Sequence, residues 1–254
     1  MSTRTVHDLG STTARYVAII ADGNGRWASA REASISQGHE AGADTLKARL
    51  DDALELGIKE LTVYSFSTEN WARPPQEVCS LITMLAERIA RETPNLGRKG
   101  IRMRFLGRRD GLPPELTEQM RHAETMTADN QRLVLYLAIN YGARAEILDA
   151  ATRFHGSTEA EFRRCLYAPE MHDPQLIIRT GGEQRLSNYL LWQAADSELI
   201  LRDELWPDFT RESLTESLDE YSKRQLRITR HNQRAPLRAT ALTASSSRSD
   251  YRRI

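Results

Sequence analysis

Short runs of apolar residues alternate along this chain with longer stretches in which apolar positions recur every three or four residues. The runs at 16–20, 61–66, 101–106, 133–139 and 176–178 are nearly continuous, and Val63, Val134, Ile177 and Ile178 lend them β-branched character. They read as strands, and a sixth is expected at 199–201, just after Glu198. Between them, 39–56 is amphipathic and stops at Gly57, a residue suited to a helix C-terminus. Residues 77–91 place Val78, Leu81, Ile82, Leu85 and Ile89 at helical spacing. Further helices are predicted over 113–126, 145–154, 187–195 and 211–227. Such alternation predicts an α/β fold, a parallel sheet with helices on its faces, in a single domain over residues 16–230. Residues 1–15 read as a flexible N-terminus. Residues 231–254, rich in Ser, Thr, Ala and Arg with no apolar period, read as a disordered tail.

Composition narrows this picture. Apolar residues make up 40% of the 254 positions, enough for a sizeable core. Lys plus Arg number 35 and Asp plus Glu 35, so the formal net charge is zero and nothing global favours nucleic acid as a partner. Any anion site must then be built locally. Cys79 and Cys165 lie far apart and form neither a disulfide framework nor a zinc pattern, as expected for a cytoplasmic protein. The first fourteen residues lack the apolar stretch of a secretory signal, and no run of membrane-spanning length occurs.

Three segments carry candidate chemistry, each at a predicted strand end, where sheets of this kind bind ligands. In the first, a strand runs into Asp22-Gly23-Asn24-Gly25-Arg26. Gly23 and Gly25 let backbone N–H groups approach an anion, Arg26 offers a fork for phosphate oxygens, and Asp22 suits a Mg²⁺ that a phosphate also binds. The same residues also make an ordinary β-turn, and the motif is neither a P-loop nor GxGxxG. In the second, Ser67, Thr68, Glu69, Asn70, Trp71 and Arg73 crowd a strand end before Pro74-Pro75. They read as a site or as a polar loop capping the next helix. In the third, Arg179, Arg185 and Ser187 surround Gly181-Gly182. They form a second candidate anion site, or surface arginines paired with Glu183. Asp196 and Glu198 offer further carboxylates, and His39 opens a helix. Trp192 and Trp206 are expected in the core. Two anion sites and a metal-suited carboxylate describe a reaction between two phosphorylated substrates, without saying which.

The blocks DGNGRWA at 22–28, FSTENWARP at 66–74, INYGAR at 139–144, IIRTGGEQRLSNYLLWQ at 177–193 and WPDF at 206–209 resemble the cis-prenyltransferase family, the family of undecaprenyl diphosphate synthase. They occur in the family order and cover roughly residues 16–227. The resemblance implies a six-stranded parallel sheet enclosing an apolar substrate tunnel with helix 77–91 as one wall, usually in a homodimer. It implies a Mg²⁺-dependent condensation of isopentenyl diphosphate with an allylic isoprenyl diphosphate, and a lipid product that could bring the enzyme to a membrane surface. By the same resemblance Asp22 and Glu198 match metal carboxylates, and Gly23, Asn24, Gly25 and Arg26 the phosphate-binding turn. Trp27, His39, Ser67, Thr68, Glu69, Trp71, Arg73 and Glu77 match positions at or near the substrate. Asn70 matches the residue proposed to accept a proton, although an amide is a poor base and the diphosphate or a water is an alternative acceptor. Arg179, Arg185 and Ser187 match the site of the homoallylic diphosphate.

The chain also departs from the family pattern. Tyr16 stands where the family has His, Ala21 where it has Met, Ile35 where it has an arginine for the allylic diphosphate, and Asp196 where it has Tyr. Arg227-Ile228-Thr229 replaces a closing Arg-Phe-Gly, and the stretch from 144 to 179 is short. These changes are expected to cluster around the substrates. Arg31, one helical turn before Ile35, is a candidate replacement for the missing arginine. Glu87 and Arg88 do not suit a long apolar tunnel, and Ser65, small at a strand end, does not obviously block one. Regular chain elongation is the leading expectation. An irregular-coupling or cyclising prenyltransferase, a non-catalytic partner subunit and a phosphate-binding regulatory module are the alternatives.

Overall fold

The computed structural model describes residues 13–234. In chain order the elements are β1 (Tyr16–Ile20), α1 (Asn24–Ser29), α2 (Ile35–Glu55), β2 (Glu60–Ser67), α3 (Pro75–Arg98), β3 (Ile101–Leu106), α4 (Pro114–Met126), β4 (Leu133–Tyr141), α5 (Ala143–Arg153), α6 (Glu159–Arg163), β5 (Leu176–Arg179), β6 (Glu198–Leu201) and α7 (Arg211–Arg234). The strands form one sheet in the order β3-β4-β2-β1-β5-β6, and every pairing is parallel. The strands read as unbroken apolar runs because both faces are covered. Along β1, Val17 and Ile19 join one core, while Ala18 and Ile20 join the other.

β1 lies at the centre, between β2 and β5. The chain leaves β1 toward β2, whereas it leaves β5 in the opposite direction, toward β6. The carboxyl ends of β1 and β5 are therefore a topological switch point, where the two departing segments leave a crevice. The register pairs Ile20 with Arg179, so Asp22 and the loop after Arg179 open onto it together.

Helix α2 begins four residues earlier than the periodicity predicts, because Ser34 and Gln37 form a reciprocal capping box at its start. Helix α3 continues past the predicted end at residue 91 and contains Pro94. Residues 187–195, predicted as a helix, form turns instead. Ser187, Asn188 and Leu190 all take positive φ, which no right-handed helix accommodates. Helix α7 runs seven residues beyond its predicted end, so 231–234, read as tail, are helical. Residues 235–254 and 1–12 lie outside the described residues. Of the tryptophans expected in the core, Trp206 is buried and donates to the Gly42 carbonyl, whereas Trp192 is half-buried against Phe162.

Helices α1 and α2 pack closely enough that a Cβ on Gly38 would overlap the Asn24 carbonyl oxygen, and one on Gly42 would sit 2.5 Å from the Asn24 Oδ1. These glycines set the height of the turn after β1. Gly38→Ala is expected to cost about 1–3 kcal/mol, the range for overpacking a dense contact. A lowered urea midpoint with unchanged m-value would show it.

Candidate active site

At the switch point, Asp22 is held from several sides. Its Oδ2 accepts from Arg179 Nη2 at 2.9 Å and its Oδ1 from Arg26 Nη2 at 3.1 Å. Its backbone N–H donates to Thr180 Oγ1 at 3.0 Å, and its carbonyl accepts from the Trp206 N–H at 2.9 Å. Arg26 also donates Nη1 to the Gly181 carbonyl at 2.8 Å. The Arg179 side chain is only 3% exposed, while that of Asp22 is 31% exposed. A buried cation is thus paired with a carboxylate that still faces solvent, and Arg179 further donates to Ser187 Oγ and the Arg185 carbonyl. Thr180, which steadies Asp22 through both its N–H and its carbonyl, was not singled out from the sequence. Its signal was its place directly after Arg179.

Gly23 takes φ 116°, and a Cβ there would meet Leu205 at 2.8 Å, so the turn after Asp22 requires glycine. Helix α1 starts on it. Its first internal bond runs from the Trp27 N–H to the Gly23 carbonyl, so the N–H groups of Asn24, Gly25 and Arg26 have no earlier carbonyl in the helix.

A cavity of about 800 Å³ opens from this turn and descends between α2, α3 and the sheet. Asp22, Gly23, Asn24, Gly25, Arg26, His39, Ser67, Glu69, Asn70, Arg73, Glu77, Arg179, Arg185 and Ser187 gather at its head. Leu46, Leu50, Leu81, Leu85, Ile89, Leu96, Val63, Leu135 and Leu137 line its depth. The α3 face read as a tunnel wall does line this cavity. The residues at the head have partners of their own. Asn70 Oδ1 accepts from the Ser67 N–H at 2.9 Å, and Arg73 pairs with Glu77 at 2.6 Å. Arg185 pairs with Glu183 and also lines the cavity. Asn188, absent from the expected residues, bridges Glu69 and the Arg144 N–H across the mouth.

Four expected residues stand elsewhere. Trp27 turns its Nε1–H to Asp208 at 2.8 Å and carries Arg31 stacked on its ring at 4.3 Å. Trp71 donates to Asn140 Oδ1 at 2.8 Å and packs edge-on against Phe66. Thr68 donates to Glu69, outside the cavity lining. Glu198 requires the largest correction. It opens β6 opposite Leu176, at the amino ends of the strands, and pairs with Arg224 at 3.1 Å. Asp22 lies beyond the carboxyl end of β1, about 16 Å of strand away. Within one chain the two carboxylates do not share a site. The departures from the family pattern divide in the same way. Ala21 and Ile35 line the cavity, but Tyr16 stacks on His172 at the amino edge and Asp196 is exposed beside β6. Arg31 is held by Asp208 at 3.2 Å and does not replace an arginine at Ile35.

Among the described residues there is no group of three His, Cys, Asp or Glu side chains that could hold a metal. Among the described residues, the carboxylate set in the turn between the two arginine-bearing loops is that of Asp22. That fits Mg²⁺, which commonly takes one or two protein carboxylates and completes its shell with substrate phosphates and water. No helix of the described residues is long and apolar enough to cross a membrane.

A head that carries more arginines than carboxylates, set on an apolar slot at the switch point of an α/β sheet, suits an amphiphilic, phosphorylated ligand. Known proteins agree. A family model described as undecaprenyl diphosphate synthase matches residues 20–229. The chain is 47% identical over 223 residues to an isoprenyl transferase of Thermotoga maritima, covering 84% of this chain and 96% of that protein. An isoprenyl transferase of Fusobacterium nucleatum is 43% identical over 219 residues, covering 84% and 95%. The structure of lavandulyl diphosphate synthase from Lavandula x intermedia in complex with dimethylallyl diphosphate is similar with a TM-score of 0.80, at 32% identity over 83% of this chain and 96% of that one. A probable undecaprenyl diphosphate synthase from Campylobacter jejuni gives 0.71 at 28% identity, covering 82% and 94%. The chain belongs to the undecaprenyl diphosphate synthase family of prenyltransferases.

His39, on α2 at the head of the cavity, lies 3.4 Å by its Nδ1 from the Asn24 amide nitrogen, and its buried Nε2 has no partner. Burial, aided by the Arg73 cation, lowers its pKa below the ordinary 6.5 despite the nearby Glu77. The unfolded chain then takes up a proton near pH 6.5 that the folded chain accepts only at lower pH. His39 therefore contributes stability above that pH, and loses it as pH falls through the folded value. Urea unfolding on both sides of pH 6.5 should show wild type losing more stability on acidification than His39→Gln. Equal losses would show that His39 titrates normally.

Proposed function

We propose that this chain condenses isopentenyl diphosphate with an allylic isoprenyl diphosphate in a Mg²⁺-dependent reaction that leaves a cis double bond. The observation that carries this reading is the sharing of one cavity head by two arginine-bearing turns. Gly23 to Arg26 lie on one side of Asp22, and Arg179 to Ser187 on the other, with an apolar slot beneath. The allylic diphosphate is assigned to the turn after β1, with its hydrocarbon lying along α3. The homoallylic diphosphate is assigned to Arg185 and Ser187. In the reaction the allylic C–O bond breaks and diphosphate leaves. The alkene of the second substrate forms the new C–C bond, and a proton is lost to regenerate a double bond.

The N–H groups of Asn24, Gly25 and Arg26 and the Arg26 guanidinium stabilise charge growing on the leaving oxygens. A bound Mg²⁺, held by Asp22 and substrate phosphate oxygens, would neutralise part of that same charge. His39, neutral at physiological pH, suits a hydrogen bond to a phosphate oxygen through Nε2. Asn70 uses its carbonyl oxygen to cap the turn after β2, which makes it a poor proton acceptor, and the departing diphosphate is the better candidate. A second reading, coupling of two short allylic diphosphates with a different linkage, is favoured by Ile35 in the cavity wall and by the neighbour solved with dimethylallyl diphosphate. Incubation with Mg²⁺, isopentenyl diphosphate and a series of allylic diphosphates, with products assigned by mass and by NMR of the linkage, separates the two. Absence of any prenyl product overturns both.

Asp22→Ala would strand the buried Arg179 cation, so Asp22→Asn is the cleaner variant. It should lower turnover by about a hundred-fold, roughly 3 kcal/mol of transition-state stabilisation, while circular dichroism stays unchanged. Arg185→Ala should raise KM for isopentenyl diphosphate by about ten-fold and that for the allylic partner far less. The reverse ranking would show that the two sites are exchanged.

Ile35 is 47% exposed and lines the cavity near His39, while Arg31 is held away by Asp208 and Trp27. Ile35→Arg is expected to tighten binding of an allylic thiodiphosphate by about ten-fold, the effect of one added charged contact. Titration calorimetry of the two proteins checks it. Equal affinity would mean that the allylic site is already complete.

A further inference from the structure

The outer wall of the cavity, where α2 and α3 run side by side, is crossed by ion pairs. Arg88 of α3 donates Nε to Glu40 Oε2 at 2.9 Å and Nη1 to Asp44 Oδ1 at 2.5 Å on α2. One turn further along α3, Glu92 takes Lys47 Nζ of α2 at 2.9 Å. Arg88, Lys47 and Glu92 all line the cavity. The Arg88 and Glu92 side chains are 13% and 15% exposed, whereas that of Asp44 is 67% exposed. Arg88 and Glu92 on the cavity wall are therefore mostly buried, while their partners Asp44 and Lys47, the latter 43% exposed, still reach water. Burial opposes the Arg88 charge, yet its hydrogen bonds to Asp44 and Glu40 outweigh that and raise its pKa above the ordinary guanidinium value. Beyond these two rungs the cavity continues with Leu50, Leu96 and Met103.

We propose that the Arg88 and Lys47–Glu92 rungs set the hydrocarbon length this enzyme accepts, restricting it to short allylic substrates and short products. The proposal rests on the prenyl-transfer reading of the cavity and names the substrate class within it. A short tail lies between Leu81 and Leu85 and gains from apolar burial there. A longer tail must lie against ionised groups and exclude the water that still reaches them. Groups that are fully paired and hydrogen-bonded lose that solvation without compensation from hydrocarbon. The penalty falls only where the two rungs lie, so it acts as a length limit and leaves the head of the site untouched.

The test uses the full chain and two variants. Arg88→Leu removes the first rung and leaves Glu40 and Asp44 with access to solvent. Lys47→Met with Glu92→Leu removes the second as a charge-neutral pair. Dimethylallyl, geranyl, farnesyl and geranylgeranyl thiodiphosphates are titrated into each protein, and product lengths are measured with excess isopentenyl diphosphate. The expected result is a wild-type affinity that falls once the tail reaches the rungs. Each variant should bind the longer thiodiphosphates about ten-fold tighter, with dimethylallyl affinity unchanged and longer products. Wild-type affinity that rises steadily with tail length, or variants with the wild-type length profile, would overturn the proposal. Because the titrations need no turnover, a wild type that makes no product while showing the length limit would fail the reaction reading and keep the length limit.

Discussion

The ion pair between Asp22 and Arg179 is the contact on which the rest of the site depends. It joins the carboxyl ends of β1 and β5, adjacent strands whose chains depart in opposite directions. A parallel sheet leaves a crevice at such a point whatever its sequence. What makes this crevice specific is that one wall contributes a buried cation and the other a carboxylate that still reaches solvent. Buried ion pairs contribute little net stability, but removing one partner leaves a desolvated charge, at a cost of about 3–5 kcal/mol. Asp22 therefore has a structural task, balancing Arg179, besides any task it has toward a ligand. Thr180, Gly181 and the Trp206 backbone all bond to this turn, so the WPDF segment and the Gly-Gly loop are positioned by the same junction.

Below the junction the molecule is built to leave space. Helices α2 and α3 cover one face of the sheet, yet their apolar residues line the slot from both sides as well as packing on the strands. Small residues on α2 serve both ends of this design. Gly38 and Gly42 let α1 sit close, which sets the turn over the slot, and Ala43 lines the slot itself. The seam between α2 and α3 is held by Arg88, Lys47 and their carboxylates, so charged groups join the hydrocarbon lining along this wall.

The strands were legible because a sheet covered on both faces needs continuous apolar runs, and the three chemical segments were legible because each follows such a run. Boundaries set by side-chain chemistry were harder to read. The capping box at Ser34 and Gln37 starts α2 ahead of its apolar period. The loop at 187–190 has the composition of a helix, but its side chains are drawn into the site, with Ser187 on Arg179 and Asn188 on Glu69. Within the candidate site, residues adjacent in sequence separate in space. Trp27 and Trp71 share motifs with residues of the cavity head, yet both turn away to satisfy their indole N–H groups on Asp208 and Asn140. Glu198 follows a long matching block, and only the strand register shows that it lies at the far end of the sheet. Spacing along the chain fixes none of these directions.

The proposed function requires a diphosphate head on the turn after β1 with its hydrocarbon descending along α3. The most direct test is a crystal structure of the protein with Mg²⁺ and an allylic thiodiphosphate. Diphosphate oxygens are expected on the N–H groups of Asn24, Gly25 and Arg26, with a cation between them and Asp22 and the tail against Leu81 and Leu85. A diphosphate bound to Arg185 with the turn after β1 empty, or a tail outside the slot, would contradict it.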